Sequence, residues 1–416
     1  MGEGETGCTS QVAKAMLNDI FETPADFPGL TSDSCLEEFQ AFLATNGSRG
    51  ACPQPCSATC RPPTPSVEAS VLHTAECPAC TPEVPQAPDV VIPFFERDLC
   101  KLKYTVKSIV LHDPEHHLGN IILMWVSKHP PSKYQADLDE VKALVTGRQV
   151  TLLDYSPQVQ EIDGWFVQQV LKLKVAANVG TDFYLVLDAK NTFLQDVDAD
   201  TFFTPCNQAR VPAQYASIDD VPLPHKEWFQ TAQRLLQTTP PETALWPTSV
   251  TPIVLHRQTV LEMLDFIGEK VNADPLCQGP ICFMFGCGFN TDGKVFATEF
   301  TMYLMYAYSK IQTSCVHSVE QRDELNRWAA SLWRGVPETV DEVREKNLES
   351  LRNIAGGTNR PLSFGGQPDS LKNTSMSKGQ KEEAEGLLIQ IYLDAQVIDS
   401  AAVGSKDLDK FISCMV

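Results

Sequence analysis

The chain between residues 90 and 188 alternates short apolar runs with longer stretches in which apolar residues recur at helical spacing. The apolar runs, each of strand length, lie at residues 90–95, 120–126, 149–154 and 183–188. The amphipathic stretches lie at residues 98–110, 135–144 and 164–177. Continuous apolar runs are typical of strands buried on both faces, and their alternation with helices is typical of parallel sheets. The pattern predicts an α/β fold with a doubly wound, mostly parallel sheet and flanking helices.

The regions on either side of this pattern are less regular. Apolar positions at helical spacing predict two short helices within residues 10–45. After the core pattern, we expect a strand, a helix, a mainly helical region, a polar loop and a last helix at residues 249–255, 257–271, 316–353, 356–381 and 382–397. We therefore predict three parts, which are an appendage, a core and a C-terminal helical extension packed on the core, at residues 1–88, 89–310 and 311–416.

The net charge and the hydropathy of the chain indicate which partners and which cellular location to expect. The 416 residues include 33 Lys and Arg against 53 Asp and Glu, which gives a formal net charge of −20. Such a chain repels polyanions, so we expect no nucleic-acid partner. No stretch reaches the roughly 18 apolar residues that cross a bilayer, and the first residues, MGEGETGCTS, lack the basic and apolar regions of a secretory signal. We expect no membrane span and a cytoplasmic location.

Half of the fourteen cysteines precede residue 81, in a stretch rich in Pro, Ser and Thr. Cys77 and Cys80 have the C-x2-C spacing of zinc ligands, but a second pair with this spacing is missing. The composition favours a disordered Cys/Pro-rich linker over a zinc site. Disulfides require an oxidising compartment, and nothing in the sequence indicates export.

Polar side chains that could bind a ligand follow the predicted strands. Ligands of doubly wound sheets bind beyond the carboxyl ends of the strands, which predicts one crevice near residues 96–98, 127–128, 154–155 and 188–191. Asp188 directly follows an apolar run, so its carboxylate could hold a cation against a diphosphate, or instead cap a helix or form a loop ion pair. By contrast, His112, His116 and His117 fit an exposed helix end better than a metal site.

A predicted helix before that strand carries two amides and an ammonium within one turn. Gln168, Gln169 and Lys172 could hydrogen-bond a polyol or neutralise a phosphate. Spacing alone fits a solvated helix face equally well.

Five separated motifs together resemble a family of uncharacterised bacterial and algal proteins that are grouped with GT-A glycosyltransferases. The motifs are Val90–Pro93, Asp98, Gly164-Trp165 with Gln168-Gln169 and Lys172-Leu173, Leu187-Asp188-Ala189-Lys190-Asn191, and Thr298-Glu299-Phe300 with Tyr303 and Tyr306. The resemblance covers residues 88–310 and extends more weakly over the C-terminal helices. It implies a GT-A-like core, a nucleotide-sugar donor and transfer of a glycosyl group to an acceptor that the sequence does not identify.

The resemblance also implies roles for particular residues. In the GT-A fold an Asp-x-Asp motif at a strand end holds Mn²⁺ or Mg²⁺ against the donor diphosphate. Asp188 matches the first acid, Lys190 replaces the second, and Asn191 offers only a neutral oxygen. This departure puts the metal in doubt, since a lysine could take over part of the cation's charge or exclude it by repulsion.

Further residues are expected at the donor and the acceptor. Arg97 and Asp98 fall where a GT-A fold meets the donor base and ribose, and Trp165 could pack against a sugar or merely the helix–sheet junction. Glu299 interrupts an apolar segment, and a desolvated carboxylate suits a base for the acceptor hydroxyl. An ordinary ion pair or helix cap would explain Glu299 as well.

The sequence therefore predicts a GT-A-like glycosyltransferase. Lys190 favours a second hypothesis, a binding or regulatory protein that keeps the fold without catalysing transfer. A third hypothesis is an interaction module built on zinc and the N-terminal cysteines.

Overall fold

The structure is a computed structural model, and it describes most of the chain from residue 86 to residue 399. The described residues are 24–30, 36–45, 86–159, 164–221, 225–236, 238, 246–247, 251–273, 297–310, 313–321, 329–331, 340–357, 361–365, 377–399, 408, 411 and 414. The first of the two predicted N-terminal helices and the cysteine-rich linker, with its possible zinc ligands, lie outside these residues.

Eleven helices and eleven strands are described in these ranges. The helices are α1 Leu36–Thr45, α2 Leu99–His112, α3 Gln135–Ala143, α4 Gly164–Lys174, α5 Ala199–Phe202, α6 His225–Leu236, α7 Arg257–Ala273, α8 Glu299–Lys310, α9 Thr313–Val316, α10 Val340–Ala355 and α11 Lys378–Asp394. The strands are β1 Asp89–Phe94, β2 Ile121–Trp125, β3 Val150–Asp154, β4 Phe183–Val186, β5 Asn191–Phe193, β6 Ala209–Tyr215, β7 Trp246–Pro247, β8 Ile253–His256, β9 His317–Gln321, β10 Ala329–Ser331 and β11 Ser363–Gly365.

The elements fall into two compact units whose segments alternate along the sequence. We call one the sheet unit, because it holds all the described strands; it comprises Cys80–Ala216, Leu245–Gln258 and Val316–Val416. The other, which we call the helical unit, comprises Met1–Ala79, Ser217–Ala244 and Thr259–Cys315. The three-part division drawn from the sequence stays a prediction.

The centre of the sheet unit is a five-stranded sheet of order β3-β2-β1-β4-β8. The first four strands are parallel, and β8 adds to β4 in the antiparallel direction. The predicted doubly wound, mostly parallel sheet with flanking helices is therefore confirmed. Because β8 is an antiparallel edge strand, its first residue, Ile253, lies opposite Val186 at the end of β4.

Burial explains why these segments form strands. Every residue of β1, β2 and β4 is buried, as expected for central strands covered on both faces. Trp125 packs edge-on against Phe94, with ring centroids 5.3 Å apart, and its indole nitrogen donates to the carbonyl of His129. The large indole of Trp125 is thus buried in the core with its polar atom hydrogen-bonded.

A buried carboxylate anchors the opposite, amino-terminal edge of the sheet. Asp89 accepts hydrogen bonds from the backbone of Asn120, which leads into β2, and from Gly180, which precedes β4. One side chain therefore sets the relative height of three neighbouring strands. A Cβ at Gly119 would come within 2.9 Å of this carboxylate, so a side chain at that position would displace it.

Two smaller sheets correct the sequence-based expectation for the second half. The region 316–353, predicted to be mainly helical, contains β9 and β10 before α10, and β11 lies in the predicted polar loop. β9 runs parallel to β6 over five residue pairs, in the sheet β7-β6-β9, and β11 lies between β10 and β5. These strands depend on partners distant in sequence, which local periodicity does not reveal.

The end of α2 corrects a second expectation. His112 is buried, although it was predicted to lie at an exposed helix end with His116 and His117. Its Nδ1 lies 2.9 Å from a carboxylate oxygen of Asp196, and its Nε2 lies 3.0 Å from the carbonyl of Ala395, which follows α11. The chain beyond α11 covers this turn, and a sequence pattern around residue 112 cannot show that.

The C-terminal residues of the sheet unit are fastened to α2. Cys100 forms a disulfide with Cys414 across 314 residues of sequence. Phe411 contacts the rings of Tyr104 and Tyr392, each at a centroid distance of 4.9 Å. The last described residues are therefore held by a covalent bond and by aromatic packing.

The helical unit has its own buried contacts. Phe27 packs against Phe39 and Phe42 of α1, at centroid distances of 6.1 and 5.4 Å, so the second predicted N-terminal helix is confirmed. α8 covers the aromatic-rich segment that follows residue 296, and its Tyr306 contacts Phe266 of α7. No described helix is both long and apolar enough to cross a membrane.

Candidate active site

The strand order of the central sheet reverses between β1 and β4. From β1 the chain moves outward to β2 and β3, and it then returns to place β4 on the other side of β1. The carboxyl edge at such a reversal is where doubly wound sheets bind ligands. The residues that follow the two strands at this edge are Glu96 to Asp98 after β1 and Asp188 after β4. That these residues line a ligand crevice stays a prediction.

The Asp188 carboxylate is held from three sides. Its Oδ1 lies 2.9 Å from Nζ of Lys172, and its Oδ2 lies 3.7 Å from Nζ of Lys190. The hydroxyl of Thr251 donates to Oδ2 at 3.2 Å. Burial disfavours ionisation, but the neighbouring ammonium groups and hydrogen bonds outweigh it and hold the pKa of Asp188 well below its usual range. Asp188 is therefore ionised near neutral pH and pairs with the two ammonium groups.

The turn after β4 fixes the direction of this carboxylate. The side-chain oxygen of Asn191 accepts the backbone N–H of Asp188 at 2.6 Å, and the N–H of Asn191 donates to the Asp188 carbonyl at 2.9 Å. Both bonds close a tight turn at the point where the chain passes from β4 to β5. Asn191, which is buried, thus positions Asp188 within the protein.

α4 delivers Lys172 to the carboxylate. Its side chain is only 6% exposed, which is rare for lysine without a charged partner. The hydroxyl of Tyr184 in β4 donates to the backbone carbonyl of Lys172 at 3.1 Å and so ties the helix to the strand. Gln168 and Gln169 lie one turn earlier; Gln168 is partly exposed and Gln169 is buried. The solvated-face interpretation is therefore wrong for Lys172 and Gln169.

The segment after β1 contributes a second carboxylate. Asp98 Oδ2 accepts the backbone N–H of Phe95 at 3.2 Å, and Oδ1 lies 3.8 Å from Nζ of Lys101. Burial, with a smaller contribution from the negative charge of Asp188, raises the pKa of Asp98. The two carboxylates are thus close enough to repel. Arg97 is exposed and stacks over the ring of Phe95, 5.1 Å from its centroid.

A further acidic group lies at the same edge. Glu96 accepts a hydrogen bond from Ser127, which follows β2. Partial burial opposes ionisation, but this bond and the nearby charges of His129 and Arg97 lower the pKa of Glu96. The prediction that residues 96–98 and 127–128 meet at one edge agrees with this contact.

Glu299 and Trp165 were also predicted to belong to the site. Glu299 is the first residue of α8 in the helical unit and is buried. Thr298, just before Glu299, and Thr301, in the first turn, exchange hydrogen bonds at the start of this helix. Trp165 lies in α4, but its side chain is outside the described residues. The roles assigned to Glu299 and Trp165 stay predictions.

The residues around Asp188 do not fit a divalent cation. Mg²⁺ and Mn²⁺ prefer oxygen ligands, several of them charged. Here both oxygens of Asp188 face ammonium groups, the position of the second acid is Lys190, and the side-chain oxygen of Asn191 is engaged by a backbone N–H. Among the described residues no group of three or more His, Cys, Asp or Glu side chains is arranged to hold a metal.

Sequence reasoning missed Thr251 and Tyr184. Thr251 reaches Asp188 only because β8 pairs antiparallel with β4, so that the residues before β8 meet the residues after β4. Tyr184 belongs to an apolar run, and its hydroxyl gave no signal. An antiparallel edge strand next to β4 would have pointed to Thr251, but the predicted strand at residues 249–255 carried no information on its direction.

Comparison with known protein families gives one match. Residues 131–341, just over half of the chain, match the Family of unknown function (DUF6492). The chain belongs to this family. The DUF6492 match covers α4, β4 and the turn that carries Asp188, so the candidate site lies largely within it. Comparison with curated protein sequences gives no match for this DUF6492 chain.

Comparison with solved structures returns proteins named as glycosyltransferases. WbbM, described as a bifunctional glycosyltransferase, is 12% identical over 76% of this chain, with a TM-score of 0.38; the DUF6492 chain covers about half, 52%, of its length. The galactosyltransferase LgtC, in complex with donor and acceptor sugar analogues, is 11% identical, with coverages of 76% and 99% and a TM-score of 0.38. Mouse xyloside xylosyltransferase 1 is 10% identical, with coverages of 69% and 99% and a TM-score of 0.35.

Proposed function

We propose that this DUF6492 protein transfers a sugar from a nucleotide-sugar donor to an acceptor. The observation that carries the proposal is the pair of ammonium groups around Asp188 at the carboxyl edge of a parallel sheet, where its strand order reverses. Such an edge binds phosphorylated ligands in doubly wound folds, and ammonium groups neutralise phosphate. The resemblance of the motifs to GT-A glycosyltransferases narrows the ligand to a nucleotide sugar.

In the proposed reaction, the bond between the sugar carbon and the diphosphate oxygen breaks, and its electron pair leaves with the diphosphate. The acceptor oxygen forms the new bond to that carbon, and its proton passes to a base. Negative charge on the leaving group must be stabilised as it develops. We assign this task to the two lysines: Lys190 would contact the leaving group, and Lys172 would contribute its charge from its place beside Asp188. Glu299 is the proposed base if the configuration inverts.

The remaining residues are proposed to bind the donor. Gln168 and Gln169 would hydrogen-bond sugar or phosphate oxygens, and Trp165 would pack against the sugar. Asp98 and Arg97 would meet the base and ribose. Asp188 and Asn191 would act by holding the two lysines and the turn in place, in keeping with their hydrogen bonds.

Calorimetric titration with a panel of UDP- and GDP-sugars tests the proposal. We expect one donor to bind and to release free nucleotide slowly. We expect Asp188→Asn to weaken the binding of that donor by roughly ten- to a hundredfold, because Lys172 and Lys190 lose the carboxylate that positions them. Asp137→Asn, at an exposed position of α3, makes the same change outside the predicted crevice and is the matched control. If no nucleotide sugar binds the folded protein, the proposal is wrong.

A second candidate function is favoured by Lys190, which stands in place of an acid of the GT-A motif. The protein would then bind the nucleotide sugar without transferring it. Binding without release of nucleotide, in the presence of a broad acceptor mixture, would select this function.

A further inference from the structure

The resemblance to GT-A glycosyltransferases implies a divalent cation at the turn after β4, and the residues there conflict with it. A cation at this position would have to approach Asp188 between two ammonium groups. Nζ of Lys172 is 2.9 Å from Oδ1, and Nζ of Lys190 is 3.7 Å from Oδ2. Cation ligands lie about 2.0–2.6 Å from Mg²⁺ or Ca²⁺, so binding there would require at least one ammonium group to leave.

Charges at the crevice sum to a positive excess. Four cationic groups, those of Arg97, Lys101, Lys172 and Lys190, lie at this edge with three carboxylates, those of Glu96, Asp98 and Asp188. Burial and the charge of Asp188 also favour the neutral form of Asp98. A site with this balance attracts an anion without help from a metal.

The two lysines that face Asp188 differ in how firmly they are held. Lys172 is 6% exposed and makes a hydrogen bond of 2.9 Å, whereas Lys190 is 22% exposed and lies 3.7 Å from its nearest carboxylate oxygen. Lys190 lies two residues after Asp188 on the same tight turn, and its long side chain can rotate away from the carboxylate. It is therefore the ammonium group that can move from the carboxylate to an arriving ligand.

We propose that the site binds the diphosphate of its ligand without a divalent cation, and that Lys190 supplies the positive charge that a metal supplies in metal-dependent sites. This inference rests on the proposed function, because it concerns the same ligand. Lys172 keeps Asp188 neutralised while Lys190 turns to the phosphate. In this arrangement the Asp188 carboxylate positions the lysines and does not bind a metal.

Titration with UDP and with GDP, each in EDTA and in MnCl₂, tests the inference on the full chain. We expect one nucleotide to bind in EDTA, and we expect MnCl₂ to change its affinity by less than about threefold, since no ligand set is free for the metal. Lys190→Gln should lose roughly ten- to a hundredfold in affinity in both buffers, because one charge-assisted contact is removed.

Lys190→Asp should behave differently from Lys190→Gln. Lys190→Asp restores the Asp-x-Asp spacing with Asp188. We therefore expect this variant to bind nucleotide weakly in EDTA and to recover affinity in MnCl₂. We also expect it to bind Mn²⁺ without nucleotide, which electron paramagnetic resonance detects. Lys174→Asp makes the same charge change at an exposed position of α4 and should match the parent protein. Circular dichroism confirms that each variant is folded.

The outcomes separate the inference from the proposed function. If the parent protein binds nucleotide only in MnCl₂, or if Lys190→Gln binds as tightly as the parent, metal-free binding through Lys190 is wrong and the proposed function stands. If the folded parent protein binds neither nucleotide in either buffer, both proposals are wrong.

Discussion

Individual side chains at the crevice act through one another. Lys172 is buried because Asp188 neutralises it, Asp188 is ionised because two lysines surround it, and Asn191 fixes the turn on which Asp188 lies. Removing one member therefore changes the others, and the effects of substitutions within this group should not add. Thr251 is the mildest place to disturb it, because its uncharged hydroxyl makes one hydrogen bond to Asp188.

Thr251→Val should weaken donor binding by about two- to tenfold, because one hydrogen bond to a charged group is lost while the ion pair with Lys172 remains. Calorimetric titration with the donor found above measures the change. Thr151→Val, on the edge strand β3, is the control and should bind normally. A loss of a hundredfold or more for Thr251→Val would mean that the hydroxyl contacts the donor itself.

Glu299→Gln tests the proposed base. In that role, the substitution should reduce turnover by roughly 100-fold or more and change donor affinity little, because a general base acts only in the chemical step. Steady-state rates and donor titration measured on the same preparation separate the two effects. A collapse of donor affinity with little effect on the rate of the bound complex would remove Glu299 from the role of base.

At the scale of elements, buried charged groups join segments that are distant in sequence. The guanidinium of Arg148, just before β3, lies 2.6 Å from the carboxylate of Asp113, just after α2. Their side chains are 4% and 0% exposed. The same carboxylate accepts the backbone N–H groups of His117 and Leu118, so it closes the loop that leads into β2.

Asp113→Asn should lower the free energy of unfolding by about 3–5 kcal/mol, because it leaves the buried charge of Arg148 without its counter-ion. Urea unfolding measures this loss. Asp137→Asn, an exposed position of α3, is the matched control and should change little. The double variant Asp113→Asn with Arg148→Met should recover part of the stability; if it is less stable than Asp113→Asn alone, the buried charge is not the cause.

β9 carries a buried histidine beside β6 that should make stability depend on pH. Burial, with the charge of His256, lowers the pKa of His317 to about 4. The unfolded chain, with an ordinary histidine pKa of about 6.5, therefore binds more protons than the folded chain between pH 6.5 and pH 4. The contribution of this group is fully present above pH 6.5 and is lost as the pH falls towards 4.

The free energy of unfolding should accordingly fall by up to about 1.4 kcal/mol per pH unit from this group alone. His317→Gln should flatten that slope, and urea unfolding at pH 7, 6 and 5 measures it. An equal slope in the parent protein and in His317→Gln would contradict the prediction.

The elements that the sequence predicted well are those whose pattern is local. Four apolar runs and three amphipathic stretches became β1 to β4 and α2 to α4 because burial on both faces, or on one stripe, is written into consecutive residues. β9, β10 and β11 were missed because their pairing partners lie far away in the chain. The same limit applies to the candidate site, where Asp188 and Lys172 were found from strand ends and helix spacing but Thr251 required the pairing of β8.

At the scale of the whole molecule, a disulfide from Cys100 to Cys414 fastens the C-terminal residues to α2. Disulfides are uncommon in reducing compartments, so this bond and the expected cytoplasmic location point in opposite directions. Its contribution to stability can be measured directly.

Cys414→Ser should lower the free energy of unfolding by about 2–4 kcal/mol, because the unfolded chain is no longer cross-linked. Cys100→Ser and the double variant should show the same loss, since each removes the same single bond. Thermal unfolding without reductant compares the three variants with the parent protein. A double variant that is clearly less stable than either single variant would show that the cysteines contribute by packing instead of by their bond.

The alternation of the two units along the chain governs how the protein can be divided. Two internal segments of the helical unit interrupt the sheet unit, so the backbone passes between the units five times. No single proteolytic cut can release either unit whole, and no contiguous fragment encodes one. A truncated gene that ends after β4 would also lack Thr251. A minimal donor-binding fragment must therefore join separate segments of the sheet unit by new linkers and cannot be made by shortening the chain from its ends.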